Sequence, residues 1–221
     1  MDSNQLAIET SKVMAKLKTF DLSQYIDFSL TPPAPFRGPG PIRLIVLGQD
    51  PTVQKPDYRE KIKITLLLNQ PGGLRTYLNK VCQGLGIDLE ENIYATNLLK
   101  NFFTTPPDTM RKKDPTFFQN AANYWIPLLK QEISEFENVP ILPLGEPVLN
   151  SLTKNPARAQ IRHYWGYEGP AQYGQNFSFI PPSENILSRI IFPFPHIPGL
   201  AHKFYRQQMH GYLAFMKKYI D

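Results

Sequence analysis

The sequence predicts an α/β fold: a single three-layer domain over residues 1–221 with a mostly parallel central sheet and helices on both faces. Short apolar runs of strand length alternate with longer segments whose apolar residues recur at helical spacing. Several of those runs end in glycine or a polar residue, and parallel strands deliver such ends to one edge of a sheet. No internal repeat or second domain is visible in the 221 residues, and that length suits one α/β domain with a sizeable core.

Composition narrows the function classes. The chain is 42% hydrophobic and 19% charged, which is ordinary globular material. A net charge of +5 permits nucleic-acid binding without demanding it. The 22 prolines exceed the 13 glycines, and many fall between apolar runs, so long, stiff, ordered loops are expected. Cys82 is the lone cysteine. It cannot form an internal disulfide, a CxxC zinc site or an iron–sulfur cluster, and it reads as a small core residue. No metal or cofactor is expected. No apolar run reaches membrane-spanning length, and residues 1–20 mix acids with bases rather than forming a signal peptide. A cytoplasmic monomer without a membrane partner is the expectation.

Residues 1–41 read as an N-terminal helix and a proline-rich approach. Over 4–19 Leu6, Val13 and Leu17 can share a face, with Ser3 or Asn4 as cap, and TPPAPFRGPGP at 31–41 is irregular. Residues 42–47 are a β-branched apolar run, the first buried strand. KIKITLLLN at 61–69 reads as a second strand or extended segment, broken by QPGG. A helix over 74–85 follows, with Leu74, Leu78, Val81 and Leu85 in register and Gly86 behind it. ENIYATNLLK at 91–100 begins as a strand, and residues 102–116 form a basic, proline-broken loop. Residues 117–136 are the longest helix candidate. VPILPLG at 139–145 is a third short strand, and 146–152 opens another helix. Residues 154–188 are rich in turns and aromatics with little periodicity; 189–199 read as an apolar strand ending in a proline-laced loop, and 200–220 as a closing helix.

Four strand ends carry polar or glycine tips: Asp50, Asn97, Gly145 and His196. Gly48 permits a close backbone approach, Gln49 adds an amide, and Pro51 pushes Asp50 out of helical geometry. An amide can hold the edge of a planar base, an imidazole can donate to an oxygen gaining charge, and a carboxylate can orient water or stabilise a sugar cation.

In order and spacing these motifs resemble the uracil-DNA glycosylase superfamily over roughly residues 42–215. LIVLGQDP is similar to its first motif, ITLLLNQPGGLRTYLNKV to the segment that carries a base-stacking aromatic and a helix, and NIYATNLLKNFFTTPP to the strand with the uracil-reading asparagine. VPILPLGEPVLNSL resembles a phosphate-side segment, and FPHIPG the second catalytic motif. The resemblance implies a DNA glycosylase-like protein that flips a deaminated or damaged base and hydrolyses its N-glycosidic bond. Asp50 would stabilise the sugar cation and direct water, His196 would donate to the departing base, and Asn97 would read its edge. Gly48, Gln49, Pro51 and Leu67 would complete the base pocket. Lys100, Lys112, Lys113, Lys203 and Arg206, with Arg111 in the same basic run, would hold DNA phosphates. Leu200 would wedge into the stack or pack in the core, whereas His202 and His210 read as ordinary surface positions.

The sequence departs from the family at three places. Thr52-Val53 replaces Tyr-His, Leu67 or Leu68 stands for the stacking phenylalanine, and His-Pro-Ser becomes His196-Ile197-Pro198. A second register puts Phe192 at the histidine position. The alternative implied by these departures is a catalytically impaired, DNA-binding member of the same superfamily.

Overall fold

A computed structural model of the chain describes residues 1–19, 23–156, 160–169, 172–197 and 202–220. Helix α1 (Ser3–Leu17) buries Leu6 and Leu17. Its cap is Asp2 rather than Ser3 or Asn4, because the Asp2 carboxylate accepts from the Gln5 amide. Short strands β1 (Ile26–Asp27) and β2 (Phe36–Arg37) precede the wholly buried β3 (Leu44–Gly48).

Over 61–69, expected as a second strand or an extended segment, Ile62 and Ile64 are extended but no strand forms among the described residues. Residue 64 bridges to Ala34, and a 3-10 turn then covers Thr65–Leu67. Leu66 and Leu67 have φ of 58° and 54°, left-handed values that end any extended ladder and cost leucine about 1–3 kcal/mol each. Thr65 donates twice to the Ala34 carbonyl and Leu68 is fully buried, so both ends of this turn are pinned.

Helix α2 (Gly73–Leu85) ends on Gly86, whose φ of 75° supplies the left-handed cap. Next come α3 (Leu89–Asn92), the buried β4 (Ile93–Asn97) and β5 (Phe102–Phe103). The loop expected over 102–116 is structured, since Pro107 starts α4 (Pro107–Lys113) with a preset φ. Helix α5 (Phe117–Glu132) stops four residues short of the expected end. Strand β6 (Ile141–Pro143) leads into α6 (Glu146–Leu152), at its expected bounds.

Residues 154–188 hold structure that the pattern hides: α7 (Ile161–Tyr164) and a hairpin of β7 (Trp165–Gly169) with β8 (Gln172–Phe177). Two register shifts in that hairpin break the two-residue alternation that would betray a strand. The expected strand in 189–199 makes only isolated bridges, parallel from Ile191 to Ile141 and from Phe194 to Leu144, and antiparallel from Ile191 to Ile180. Pro193 and Pro195 have no N–H to continue a ladder. The chain closes with α8 (Lys203–Met216), which buries Leu213 and Met216.

The architecture is mixed α/β with small sheets. The largest runs β2-β4-β3-β6, with β3 parallel to both β4 and β6 and β2 antiparallel at the edge. Strands β1 and β5 form a separate antiparallel pair. Buried apolar side chains make one contiguous core that includes Trp125, Trp165 and Tyr212. Among the described residues no helix is long and apolar enough to cross a membrane.

Burial raises several acidic protons in this core. It pushes the Cys82 thiol up to about 12, and it holds the Tyr77, Tyr94 and Tyr212 phenols above their ordinary range. For each group the neutral form is favoured in the folded state. The stabilisation is therefore complete below the unfolded values, about 8.5 for Cys and about 10 for Tyr, and is lost as pH rises beyond them. The urea midpoint should hold level to about pH 8.5 and fall steadily from there to about pH 12. A flat midpoint across that window would contradict the burial of these groups.

Candidate active site

The parallel register brings the polar tips together. Gly48, the last residue of β3, lies opposite Asn97, the last of β4. On the other side β3 pairs with β6, and the chain continues through Leu144 to Gly145. The Gly145 amide donates to the Phe194 carbonyl at 2.9 Å, so the 191–194 segment runs beside β6 and carries His196 to the same edge. A Cβ placed on Gly145 would stand 3.6 Å from the His196 Cβ. A cleft of about 830 Å³ opens there, and Gly48, Gln49, Asp50, Gly145 and His196 all line it.

Each wall is fixed by identifiable bonds. Asp50 is half-buried; its Oδ1 accepts from the Thr52 amide at 2.8 Å and its Oδ2 from Gln49 Nε2 at 3.1 Å. The Thr52 hydroxyl accepts from the Phe103 amide at 2.8 Å, tying this loop to β5. Opposite, Tyr77 donates to the Pro195 carbonyl at 2.9 Å and the Trp165 indole to the Pro193 carbonyl at 2.7 Å. These two buried bonds satisfy carbonyls that lie outside any regular ladder, and they set the height of His196. His196 is exposed and lines the cleft, whereas Phe192 is fully buried against Phe179 and Phe215.

Asn97 is only 2% exposed, and neither its Oδ1 nor its Nδ2 has a hydrogen-bond partner. An unsatisfied buried amide costs about 1–3 kcal/mol. It lies beside the bare face of Gly48, where a Cβ would stand 2.4 Å from Asn97 Oδ1 and 2.6 Å from Leu66 Cδ2. Glycine at 48 is what lets the amide and the leucine crowd the end of β3. Asn150, on α6, also lines the cleft with an unpartnered buried Oδ1.

The other expected site residues separate. Pro51 is buried and does not line the cleft. The lining leucine is Leu66 rather than Leu67, because the left-handed turn swings Leu66 over Gly48. Lys100 is not available to phosphates: its side chain is 7% exposed and its ammonium pairs with Glu132 at 2.6 Å. Lys112, Lys203 and Arg206 are exposed but outside the cleft lining. The Lys113 side chain and Leu200 lie outside the described residues.

The lining also holds Arg111 of the expected basic run, and Glu146, His202 and Tyr205, which sequence reasoning did not place there. His202 had read as plain surface. Burial, then the Glu146 carboxylate, push the Tyr205 phenol up to about 12, so it remains a donor throughout the neutral range. Asp50 and Glu146 against Arg111 leave the lining without the positive excess that the basic sequence suggests. Among the described residues no group of three or more His, Cys, Asp or Glu side chains gathers to hold a metal ion.

The sequence matches no protein-family model and no curated protein.

Proposed function

We propose that the cleft is the active site of a DNA glycosylase-like enzyme that hydrolyses the N-glycosidic bond of a flipped uracil or related base. One observation carries the reading. A carboxylate and an imidazole line one cleft at the end of β3, and a buried amide without a partner sits directly behind its Gly48 wall. The fold reading goes with it: a three-layer domain, supported by the packing of α2 on α8 and of α1 on α5 and by the parallel pairing of β3 with β4 and β6.

The division of labour follows from charge. As the bond breaks, positive charge grows on the sugar and negative charge on the base. The Asp50 carboxylate stabilises the first and orients the attacking water. The His196 imidazole donates to the second. Asn97 answers the donor and acceptor edge of the base, a role that gives its unpaired atoms partners, and this requires Leu66 to move aside. The exposed Lys112, Lys203 and Arg206 hold the DNA backbone.

The test is an oligonucleotide in which a cationic pyrrolidine replaces one deoxyribose. It mimics the charged sugar, and transition-state mimics bind at least about 100-fold tighter than ground-state ligands. A preference of that size over the undamaged strand, lost in Asp50→Asn, is expected. Equal affinity for the two strands would count against the reading.

A further inference from the structure

The loop that leaves Asp50 carries a second feature. Residues Pro56–Lys61 form a 3-10 helix. At three residues per turn, positions i and i+3 eclipse, which sorts the segment into three rows. One row holds the exposed Pro56 followed by Arg59 and Ile62, each 5% exposed. A second holds Asp57, Glu60 and Lys63, all exposed. The third holds Lys55, Tyr58 and Lys61.

That third row is an exposed ridge. Tyr58 is 54% exposed, the most exposed large apolar side chain among the described residues. The Lys55 and Lys61 ammonium groups lie over its ring, 5.8 Å and 4.8 Å from the centroid, as cation–π contacts. The backbone beneath is held rigid by Arg59, whose buried guanidinium donates to the carbonyls of Val53, Phe103 and Thr104 at 3.1, 3.0 and 3.3 Å. Tyr58 lies six positions beyond the cleft-lining Thr52, a chain span of at most about 22 Å.

We propose that this ridge is a stacking platform for single-stranded DNA that runs out of the cleft. An aromatic face takes a base of any identity once the lysine ammonium groups over it swing out to the phosphates on either side. Holding Tyr58 on a 3-10 turn spends little ordering entropy on binding, because Arg59 has already fixed the loop. The choice of DNA rests on the glycosylase reading of the cleft; the stacking geometry does not.

The experiment is fluorescence anisotropy with an end-labelled undamaged oligothymidine, which needs no base release. Tyr58→Ala should weaken binding about 5- to 100-fold, while Tyr58→Phe stays within about twofold. Lys55→Gln with Lys61→Gln should lower the slope of log affinity against log salt by about 1.4. A blunt duplex should be indifferent to Tyr58→Ala. Single-strand binding by Tyr58→Ala equal to wild type, or an equal loss on duplex, would overturn the proposal. So would Tyr58-dependent capture of a polyglutamate peptide, which would assign the ridge to acidic protein. Tyr58-dependent binding without base release would keep the ridge and reject the glycosylase. Base release with Tyr58-independent binding would do the reverse.

Discussion

Asp50→Asn is expected to cut single-turnover release of uracil from a uracil-containing oligonucleotide by about 10²- to 10⁴-fold, with little change in oligonucleotide affinity. Asparagine keeps the shape and can still accept from the Thr52 amide, so the loop geometry should survive. What is lost is the negative charge that faces the sugar cation, and that charge matters only as the bond breaks. His196→Ala should cost about 10²- to 10³-fold, the usual value of one donor to a developing anion. Its side chain is exposed, so its removal leaves no core cavity. A selective loss of binding in either variant, with the chemical step intact, would move these residues from catalysis to mere substrate contact.

Lys100→Met is expected to destabilise the fold by about 3–5 kcal/mol in urea unfolding. The Lys100 ammonium is buried, bonded to Thr96 Oγ1 at 2.7 Å and to the Glu132 carboxylate. Glu132 is 1% exposed and also accepts from the Tyr94 hydroxyl at 2.7 Å. Removing the lysine leaves a buried carboxylate with one donor and no counter-charge. The double variant Lys100→Met with Glu132→Leu removes both charges and should recover much of that loss. It retains the cost of the stranded Tyr94 and Thr96 hydroxyls. A single-variant loss below about 1 kcal/mol would mean that the pair behaves as a surface salt bridge.

Lys100 also shows where sequence reasoning stops. It follows a strand and precedes a basic run, so a phosphate contact is the local reading. Its burial depends on Glu132, which α5 brings back from 32 residues away. The helices over 73–85, 117–132 and 146–152 were legible because one apolar face persists through each. So were β3 and β6, whose fully buried strands read as apolar runs, and β4, which starts apolar and ends on the polar Thr96 and Asn97. The β7–β8 hairpin was not, since its bulges scramble the alternation. The edge that gathers Asp50, Asn97 and His196 followed from strand ends alone. The choice between His196 and Phe192 did not, because it turns on Tyr77 and Trp165 bonding the 193–195 backbone. Leu66 displaced Leu67 through a left-handed turn that no leucine preference announces. Tyr58 escaped notice because a three-residue period is not one that helix or strand patterns test.

The most direct measurement is release of free base by the wild-type protein from single-stranded oligonucleotides that each carry one uracil, hypoxanthine, xanthine or 5-substituted uracil. Release from at least one of them, abolished to within the Asp50→Asn residue of activity, is the expected result. Salt-dependent binding to all four with release from none would contradict the enzyme and leave a DNA-binding protein with the same cleft.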